Sequence, residues 1–348
     1  MSFICLVSSA FAADYRAVIV ANMDSGKIIY SENEDEKNYP ASLTKIMTLY
    51  LTFNALDEGR LRLDQKLIVS KTAANARPVK IGLPAGSKIT VENAIKAVTV
   101  YSANDMAVTL SENLTGDEGD FAQMMTKVAQ EIGLKDTNFE NASGLSDDSH
   151  VSTARDMALL AIAVKKHYPQ YWHYFSIPYF SYNGKSFRNG NGLLGNYPGC
   201  DGMKTGFTNK AKYSLISTAG QGDKHMVAIV LGADDKADRN AISRALLDLG
   251  FGKTDKFTVA RAPEKIFPKK IAINTNYSGA ACGVQFGAFG SEKVAKSQQE
   301  KIFDLFGVRT YLEPFSGMFR VRAKMSERDA QNIKGECGSN GIDCFVFH

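Results

Sequence analysis

Two short stretches near the start of the chain, residues 17–21 and 27–30, read as alternating strand segments around Asn22-Met23-Asp24-Ser25-Gly26. Period-two alternation broken by a polar turn ending in glycine predicts a β-hairpin. The period then changes. Between residues 43 and 56, Ile46, Leu49, Tyr50 and Phe53 recur at helical spacing and Gly59 closes the segment, which predicts a helix. Weaker helical patterns cover 91–100, 105–114 and 121–132, and the region stays mostly helical to about Lys166. After Trp172 the alternation returns. Residues 203–207, 213–219 and 225–231 predict three strands, the last two joined by Gly220-Gln221-Gly222-Asp223, and 240–249 predicts a closing helix. Strands first and last with helices between them predict an α/β (α+β) domain. Its core is one antiparallel sheet, completed from both chain ends and packed against helices.

Residues 253–278 break the pattern, with six basic residues against two acidic ones and with Pro263 and Pro268 included. They read as a solvated spacer. Beyond it, 284–289 alternates like a strand and 292–306 is helical. Residues 309–312 and 319–323 form a hairpin around Ser316-Gly317, and 344–347 is a last strand. Ser326-x-x-Asp329 resembles the start of a capped second helix. The order βαββαβ predicts a small ferredoxin-like unit.

Composition changes this picture little. With 348 residues, 44% hydrophobic and 22% charged, the chain suits two soluble domains. No apolar run approaches the roughly 18 residues of a membrane span, and a net charge of +4 does not point to nucleic acid. The apolar residues 3–7 and Ala10-Phe11-Ala12 before Ala13 read as the end of a signal peptide. Residues 1–12 hold no Lys or Arg, so its true start is expected upstream. Cleavage there would leave Cys200, Cys282, Cys337 and Cys344, three of them in the last 70 residues, where a disulfide of undetermined pairing is expected. Cys200 reads as a small apolar residue. His150 and His225 lack metal-ligand spacing, so no metal site is expected. Trp172 and the tyrosines around it are expected to pack.

Candidate chemistry begins at Ser42-Leu43-Thr44-Lys45. A spacing of three places Ser42 and Lys45 on one helix face. A serine hydroxyl needs a neighbouring base, and a lysine serves only if desolvation or nearby positive charge lowers its pKa. Ser102-Ala103-Asn104 lies between two predicted helices. Its Ser can relay a proton to a leaving group, and its Asn amide can hold both Lys45 and a substrate carbonyl. Lys204-Thr205-Gly206 falls on a predicted strand, where Lys204 and Thr205 suit a carboxylate and Gly206 admits close backbone approach. Alone, each fits an ordinary cap, turn or edge strand. Together, in this order and context, they form the S-x-x-K, S-x-N, K-T-G trio of penicillin-recognising enzymes.

With Tyr39-Pro-Ala-Ser-Leu-Thr-Lys-Ile-Met-Thr48, Asn141-Ala-Ser-Gly-Leu145, Ser152-Thr-Ala-Arg-Asp-Met-Ala158 and Tyr197-Pro-Gly-Cys-Asp-Gly-Met-Lys-Thr-Gly-Phe-Thr208, residues 15–252 resemble the low-molecular-mass D-alanyl-D-alanine carboxypeptidases. The resemblance implies a β-lactamase/transpeptidase-like fold, an antiparallel sheet with a helical subdomain. It makes Ser42 the acylated nucleophile, Lys45 its base, and Ser102 and Asn104 the proton relay. Lys204 and Thr205 would grip the terminal carboxylate, with Gly206 admitting the substrate backbone to the strand edge. Backbone N–H groups of Ser42 and Phe207 would form the oxyanion hole, with Arg239 as a looser carboxylate match or a solvated helix-start residue.

No cofactor is implied. The substrate would be the D-Ala-D-Ala end of peptidoglycan stem peptides, with β-lactam antibiotics as acylating mimics. Alternatives are a D,D-endopeptidase opening cross-links, a β-lactamase and a non-catalytic peptidoglycan-binding protein. The β-lactamase is disfavoured because no E-x-x-L-N segment lies between Asn104 and Lys204. The tail resembles a SPOR domain through Val284-Gln-Phe-Gly-Ala-Phe289 and Met318-Phe-Arg-Val-Arg322, which implies binding to glycan strands. The Arg-Gly-aromatic core of an RNA-recognition module is missing there, and no nucleic-acid partner is expected. The chain is thus expected to comprise a signal peptide (1–12), a D,D-peptidase domain (13–252), a linker (253–278) and a SPOR-like domain (279–348), exported to the periplasm or cell envelope.

Overall fold

The computed structural model describes residues 14–145, 147–254, 266–268, 283–306, 308, 310–315, 318–324, 330, 331, 333–335, 337, 342 and 344–347. The signal-peptide reading, Cys282 and the Ser326–Asp329 cap lie outside them.

The hairpin is present as β1 (Ala17–Asn22) and β2 (Ile28–Glu32), paired antiparallel with Ile19 opposite Ser31. A 3-10 turn, Ala41–Thr44, leads into α1 (Lys45–Asp57). The helical region holds β3 (Lys66–Ile68), α2 (Lys71–Ala74), β4 (Lys88–Thr90), α3 (Val91–Lys96), a π-helical turn (Ala97–Tyr101), α4 (Asn104–Thr115), α5 (Glu118–Ile132) and α6 (Ala154–His167). A 3-10 segment, Pro169–Ser176, and a hairpin of β5 (Tyr179–Tyr182) and β6 (Lys185–Arg188) follow. Then come β7 (Cys200–Thr208), β8 (Lys212–Gln221), β9 (Lys224–Ala233) and α7 (Lys236–Gly250).

Five strands form one sheet in the order β2-β1-β9-β8-β7. β1 pairs with β9, Ile19 opposite Ile229, and with β2 on its other side, so the first strand of the chain lies inside the sheet. That explains why Ala17–Ala21 is apolar on both sides. Ala17, Ile19 and Ala21 face a core shared with α1 and the other helices of the central region. Val18 and Val20 face a second core closed by Ile242, Leu246 and Leu247 of α7. Covering both faces makes three layers. β7 is left at the edge, free to meet other parts of the chain.

α1 departs from a simple amphipathic reading. Every residue from Lys45 to Ala55 is buried, as expected of a helix at the centre of a large core. The helix expected over 240–249 starts earlier, at Lys236, because Asp235 caps it by accepting the Asp238 N–H at 2.8 Å. Arg239 consequently lies inside its first turn.

The linker is not solvated throughout. Ile266 is buried and donates its N–H to the Gly26 carbonyl at 2.8 Å, and Lys166 Nζ sits 3.6 Å above the Phe267 ring. An apolar pair within a basic stretch found a place on the β1–β2 turn that composition alone concealed.

The tail contains β10 (Gly283–Phe289), α8 (Glu292–Phe306), β11 (Tyr311–Phe315), β12 (Met318–Lys324) and β13 (Phe345–Phe347), with helical residues at 330, 331, 333–335 and 337. The strands order as β11-β12-β10-β13, every pair antiparallel. β11 sits two residues later than expected, because Tyr311 registers with Arg322 and Phe315 with Met318. Val284, Phe286, Val321 and Ala323 pack with Ala295 and Ile302 of α8 in a separate small core. Cys344 is a free thiol, as is Cys200.

Candidate active site

The 3-10 turn and α1 place Ser42 and Lys45 one turn apart, and Lys45 Nζ lies 2.9 Å from Ser42 Oγ. Two further contacts fix the amine: Asn104 Oδ1 at 2.7 Å and the Ser143 carbonyl at 2.5 Å. A neutral amine has two N–H donors and one lone pair. In the neutral form, with Asn104 and Ser143 accepting both hydrogens, the lone pair is left for Ser42 Oγ, which is what a general base requires. Lys45 is completely buried. Burial first, and then the charge of Lys204, holds its pKa well below the usual lysine range, while Glu118 pulls the other way.

Ser143 presents its carbonyl because the 141–145 loop folds around one side chain. Asn141 Oδ1 accepts the N–H groups of Ser143, Gly144 and Leu145 at 3.2, 2.7 and 3.1 Å. Gly144 has φ +78°, and a Cβ there would lie 1.8 Å from the Ala41 carbonyl oxygen, so the loop touches the nucleophile's own turn. Ala41 and Ser102 both take left-handed backbone conformations, with φ of 48° and 63°. Such conformations cost about 1 kcal/mol each outside glycine and gather at functional sites.

Ser102 ends the π-helical turn just before α4, and its Oγ is buried with no hydrogen-bond partner among the described residues. Asn104 reaches Lys45 as expected. Its amide nitrogen, expected to reach a substrate carbonyl, instead donates to the Arg77 and Pro78 carbonyls at 3.1 and 3.2 Å. Asp105 holds the same loop through the Ile81 and Gly82 N–H groups. The motif therefore builds one wall of the cleft as well as part of the relay.

β7 supplies the opposite wall. Lys204 is buried and donates to its neighbour's carbonyl, Thr205 O, at 3.0 Å. Burial, and then the nearby Arg239 guanidinium, push its pKa down to about 7. Arg239 is itself 4% exposed, which removes the solvated helix-start reading. It donates to Asn240 Oδ1 at 2.8 Å and to the Gly190 carbonyl at 3.4 Å, and burial lowers its pKa to about 10. Thr205 is half-buried, and a side chain at Gly190 would meet its Oγ1 at 2.9 Å. A Cβ on Gly206 would lie 3.0 Å from the Pro40 carbonyl and 3.4 Å from the Ala41 Cβ. Glycine is what lets the strand lie against the turn carrying Ser42. Phe207 follows it, exposed, with its ring 4.4 Å from Tyr213.

Some contributors carried no motif. Glu118 accepts the Ala142 N–H at 3.0 Å. His150, buried, accepts the Glu140 N–H on Nδ1 at 3.2 Å, so Nε2 carries the proton and donates to Thr44 Oγ1 at 2.8 Å. Its pKa falls to about 4, mainly through burial. Only the Asn141–Leu145 segment was signalled by the sequence; Ser143 acts through a backbone carbonyl, which no residue type announces. Among the described residues, no cluster of His, Cys, Asp and Glu could hold a metal. Cys200 is half-buried and its thiol is pushed up to about 11, which fits an inert side chain.

A serine hydroxyl facing a desolvated lysine, with a buried cationic wall on an edge strand, is the arrangement expected of an acyl-transferring serine hydrolase of the penicillin-recognising class. The Peptidase_S11 family, D-alanyl-D-alanine carboxypeptidase, matches residues 7–235. The D-alanyl-D-alanine carboxypeptidase DacF of Bacillus subtilis is 34% identical over 76% of this chain and 69% of its own length. DacC of Escherichia coli is 36% identical over 69% of this chain and 62% of its own. Among solved structures, penicillin binding protein 5 from Haemophilus influenzae has a TM-score of 0.67 at 32% identity, covering 70% of this chain and 72% of that one. Penicillin-Binding Protein D2 from Listeria monocytogenes, in its cefotaxime-bound form, has a TM-score of 0.63 at 33% identity, covering 68% and 97%.

The chain belongs to the Peptidase_S11 family of serine D-Ala-D-Ala carboxypeptidases, the low-molecular-mass penicillin-binding proteins. Its larger unit has the mixed α/β fold of penicillin-binding proteins and β-lactamases. No helix among the described residues is long and apolar enough to cross a membrane.

Proposed function

We propose that the protein removes the terminal D-Ala from peptidoglycan stem pentapeptides through an acyl-enzyme on Ser42. The observation that carries this is the Lys45 amine, fully buried, 2.9 Å from Ser42 Oγ and held by Asn104 Oδ1 and the Ser143 carbonyl. Ser42 Oγ attacks the D-Ala–D-Ala carbonyl carbon while its proton passes to Lys45 Nζ. The oxyanion is held by the backbone N–H groups of Ser42 and Phe207. Collapse breaks the C–N bond, and the departing amine takes a proton through Ser102, whose hydroxyl has no competing partner among the described residues. Lys204, Thr205 and Arg239 hold the terminal carboxylate, with Gly206 giving the substrate access to the strand. Water then attacks the acyl carbon and frees Ser42. A β-lactam would follow the first half of this path, its strained amide standing for the peptide.

Incubating the wild type and Ser42→Ala with a fluorescent penicillin tests the assignment. A persistent covalent band is expected in the wild type alone, with D-Ala release falling roughly 10⁴-fold or more in the variant. A band in folded Ser42→Ala would move the nucleophile elsewhere. Parallel assays on a pentapeptide and a cross-linked dimer separate carboxypeptidase from endopeptidase action.

The tail is read as a ferredoxin-like SPOR domain that holds the enzyme on glycan strands, joined by the 253–278 linker, in a protein exported behind a signal peptide to the periplasm. What supports the tail reading is its strand order and its two faces. With Val284, Phe286, Val321 and Ala323 turned to the small core, the alternating positions Gln285, Tyr311, Glu313, Arg320, Arg322, Phe345 and Phe347 share the other face. Arg322 lies over the Phe347 ring at 4.2 Å. Aromatic faces and guanidinium donors suit sugars, which offer C–H surfaces and hydroxyl acceptors.

A further inference from the structure

We infer that Glu118 is a positioning residue for the acylation step, one that aims the Ser143 carbonyl at Lys45 and balances the charge on its amine. The inference rests on Lys45 being the base for Ser42. Glu118 stands in the first turn of α5, after the cap residue Asp117. Its Oε1 accepts the Ala142 N–H at 3.0 Å, and Thr48 Oγ1 on α1 donates to the Ala142 carbonyl at 2.7 Å. Ala142 is thereby gripped from both sides, by α5 and by α1. The next carbonyl along the chain, that of Ser143, is the one 2.5 Å from Lys45 Nζ. The grip on Ala142 sets the direction of the next peptide, 143–144, and tilting that peptide would take the Ser143 carbonyl off Lys45 Nζ and let the amine turn away from Ser42.

Charge adds a second route. The groups whose charge acts on Lys45 are Lys204 on β7 and Glu118 on α5, and His150 feels Lys45 in turn. Those acting on Glu118 are Glu112 on α4, its neighbour Asp117, and Lys45 on α1. Glu118 is thus the acidic counterweight to two repelling lysines. Burial and the two nearby acids raise its own pKa, while the Ala142 N–H and then Lys45 lower it. Its charge favours the ammonium form of Lys45. Removing that charge lowers the lysine's pKa and makes the free base available at lower pH.

Glu118→Gln keeps an oxygen for the Ala142 N–H and removes the charge; Glu118→Ala removes both. The test measures acylation rates with a fluorescent penicillin from pH 5 to 10, alongside thermal melting of each full-length protein. In Glu118→Gln the plateau should stay within about threefold of wild type. Its acid limb should move down by about one pH unit, a roughly tenfold faster rate at a fixed pH on that limb. Glu118→Ala should show the same displacement with a plateau about 10- to 100-fold lower. A residue that only supports the fold would lower the rate at every pH without moving the limb. An unmoved limb in folded Glu118→Gln overturns the inference even if Glu118→Ala does not fold. A wild type with no acid limb would instead sink the base assignment, and the Glu118 role with it.

Discussion

The catalytic cleft and the open face of the C-terminal sheet use the same cationic residue types under opposite conditions. In the cleft, Lys45, Lys204 and Arg239 are 0%, 2% and 4% exposed, and none has a carboxylate within ion-pair distance among the described residues. On the tail, Arg320 and Arg322 keep side-chain exposures of 23% and 16% and share Glu313, at 3.6 and 2.8 Å. Desolvation without an adjacent acid partner lowers the pKa of both cleft lysines. The tail arginines are paired with a carboxylate and partly wet. The cleft uses burial to make chemistry possible, whereas the tail keeps its charges available for surface contact. The contrast also predicts how each region fails: the cleft steeply, by loss of geometry or charge state, and the tail in small steps.

The steepest failure should come from geometry. Gly144→Ala must place a Cβ where the Ala41 carbonyl oxygen now lies, 1.8 Å away, so the 141–145 loop and the nucleophile's turn have to separate. Displacement of about 1 Å at a reacting group costs roughly 10²-fold in rate. Acylation by penicillin is expected to fall by about that factor, with about 2–4 kcal/mol lost in chemical unfolding. Gly59→Ala is the control. It shares a positive φ, 69°, but has nothing within 4 Å, so it should lose about 1 kcal/mol and no activity. Equal behaviour of the two variants would show that the cleft is not set by this contact.

How much of this could be read in advance depends on what kind of group does the work. The helix of Ile46, Leu49, Tyr50 and Phe53, the three late strands and the trio of motifs were legible, because side-chain type and period carry them. The β5–β6 hairpin and the Pro169–Ser176 turn were not, since each is short and mixed in polarity. The apolar positions of α7 begin only at Ile242, so Asp235 and the burial of Arg239 went unread. In the site, Ser42, Lys45, Asn104 and Lys204 were visible as residues. Ser143 and Glu118 were not, because one meets Lys45 through a carbonyl and the other meets an N–H in the loop after its own helix. Tertiary contact between backbones leaves no trace in residue type.

A charge-state failure is the next in size. Lys204 must be protonated to hold a carboxylate, and in the free enzyme its pKa is about 7, through burial and the adjacent Arg239. The charged fraction falls as pH rises through that value, so kcat/KM for a D-Ala-D-Ala peptide should decline on the alkaline side. Arg239→Gln removes a repelling charge, raises the lysine's pKa and should move the alkaline limb to higher pH. The same change deletes a charged donor worth about 1.5–3 kcal/mol, so kcat/KM below the limb should drop about 10- to 100-fold, mostly through KM. A limb that stays at its wild-type position would mean that burial alone tunes Lys204. A drop confined to kcat would take Arg239 out of carboxylate binding.

The tail should respond least. Arg322 is held by Gln285 Oε1 at 2.9 Å, Glu313 at 2.8 Å and the Phe347 ring at 4.2 Å, a network open to water on one side. Partly hydrated contacts of this kind are worth about 1 kcal/mol. Arg322→Ala in the full chain should therefore weaken co-sedimentation with denuded glycan strands only about three- to tenfold, and leave acylation by penicillin at the wild-type rate. Retained binding would move the glycan surface off this face, while loss of acylation would couple two regions whose cores are separate. If the wild type itself fails to sediment, the sheet is a docking unit for some other partner. The cleft would then have to find its substrate without a glycan anchor.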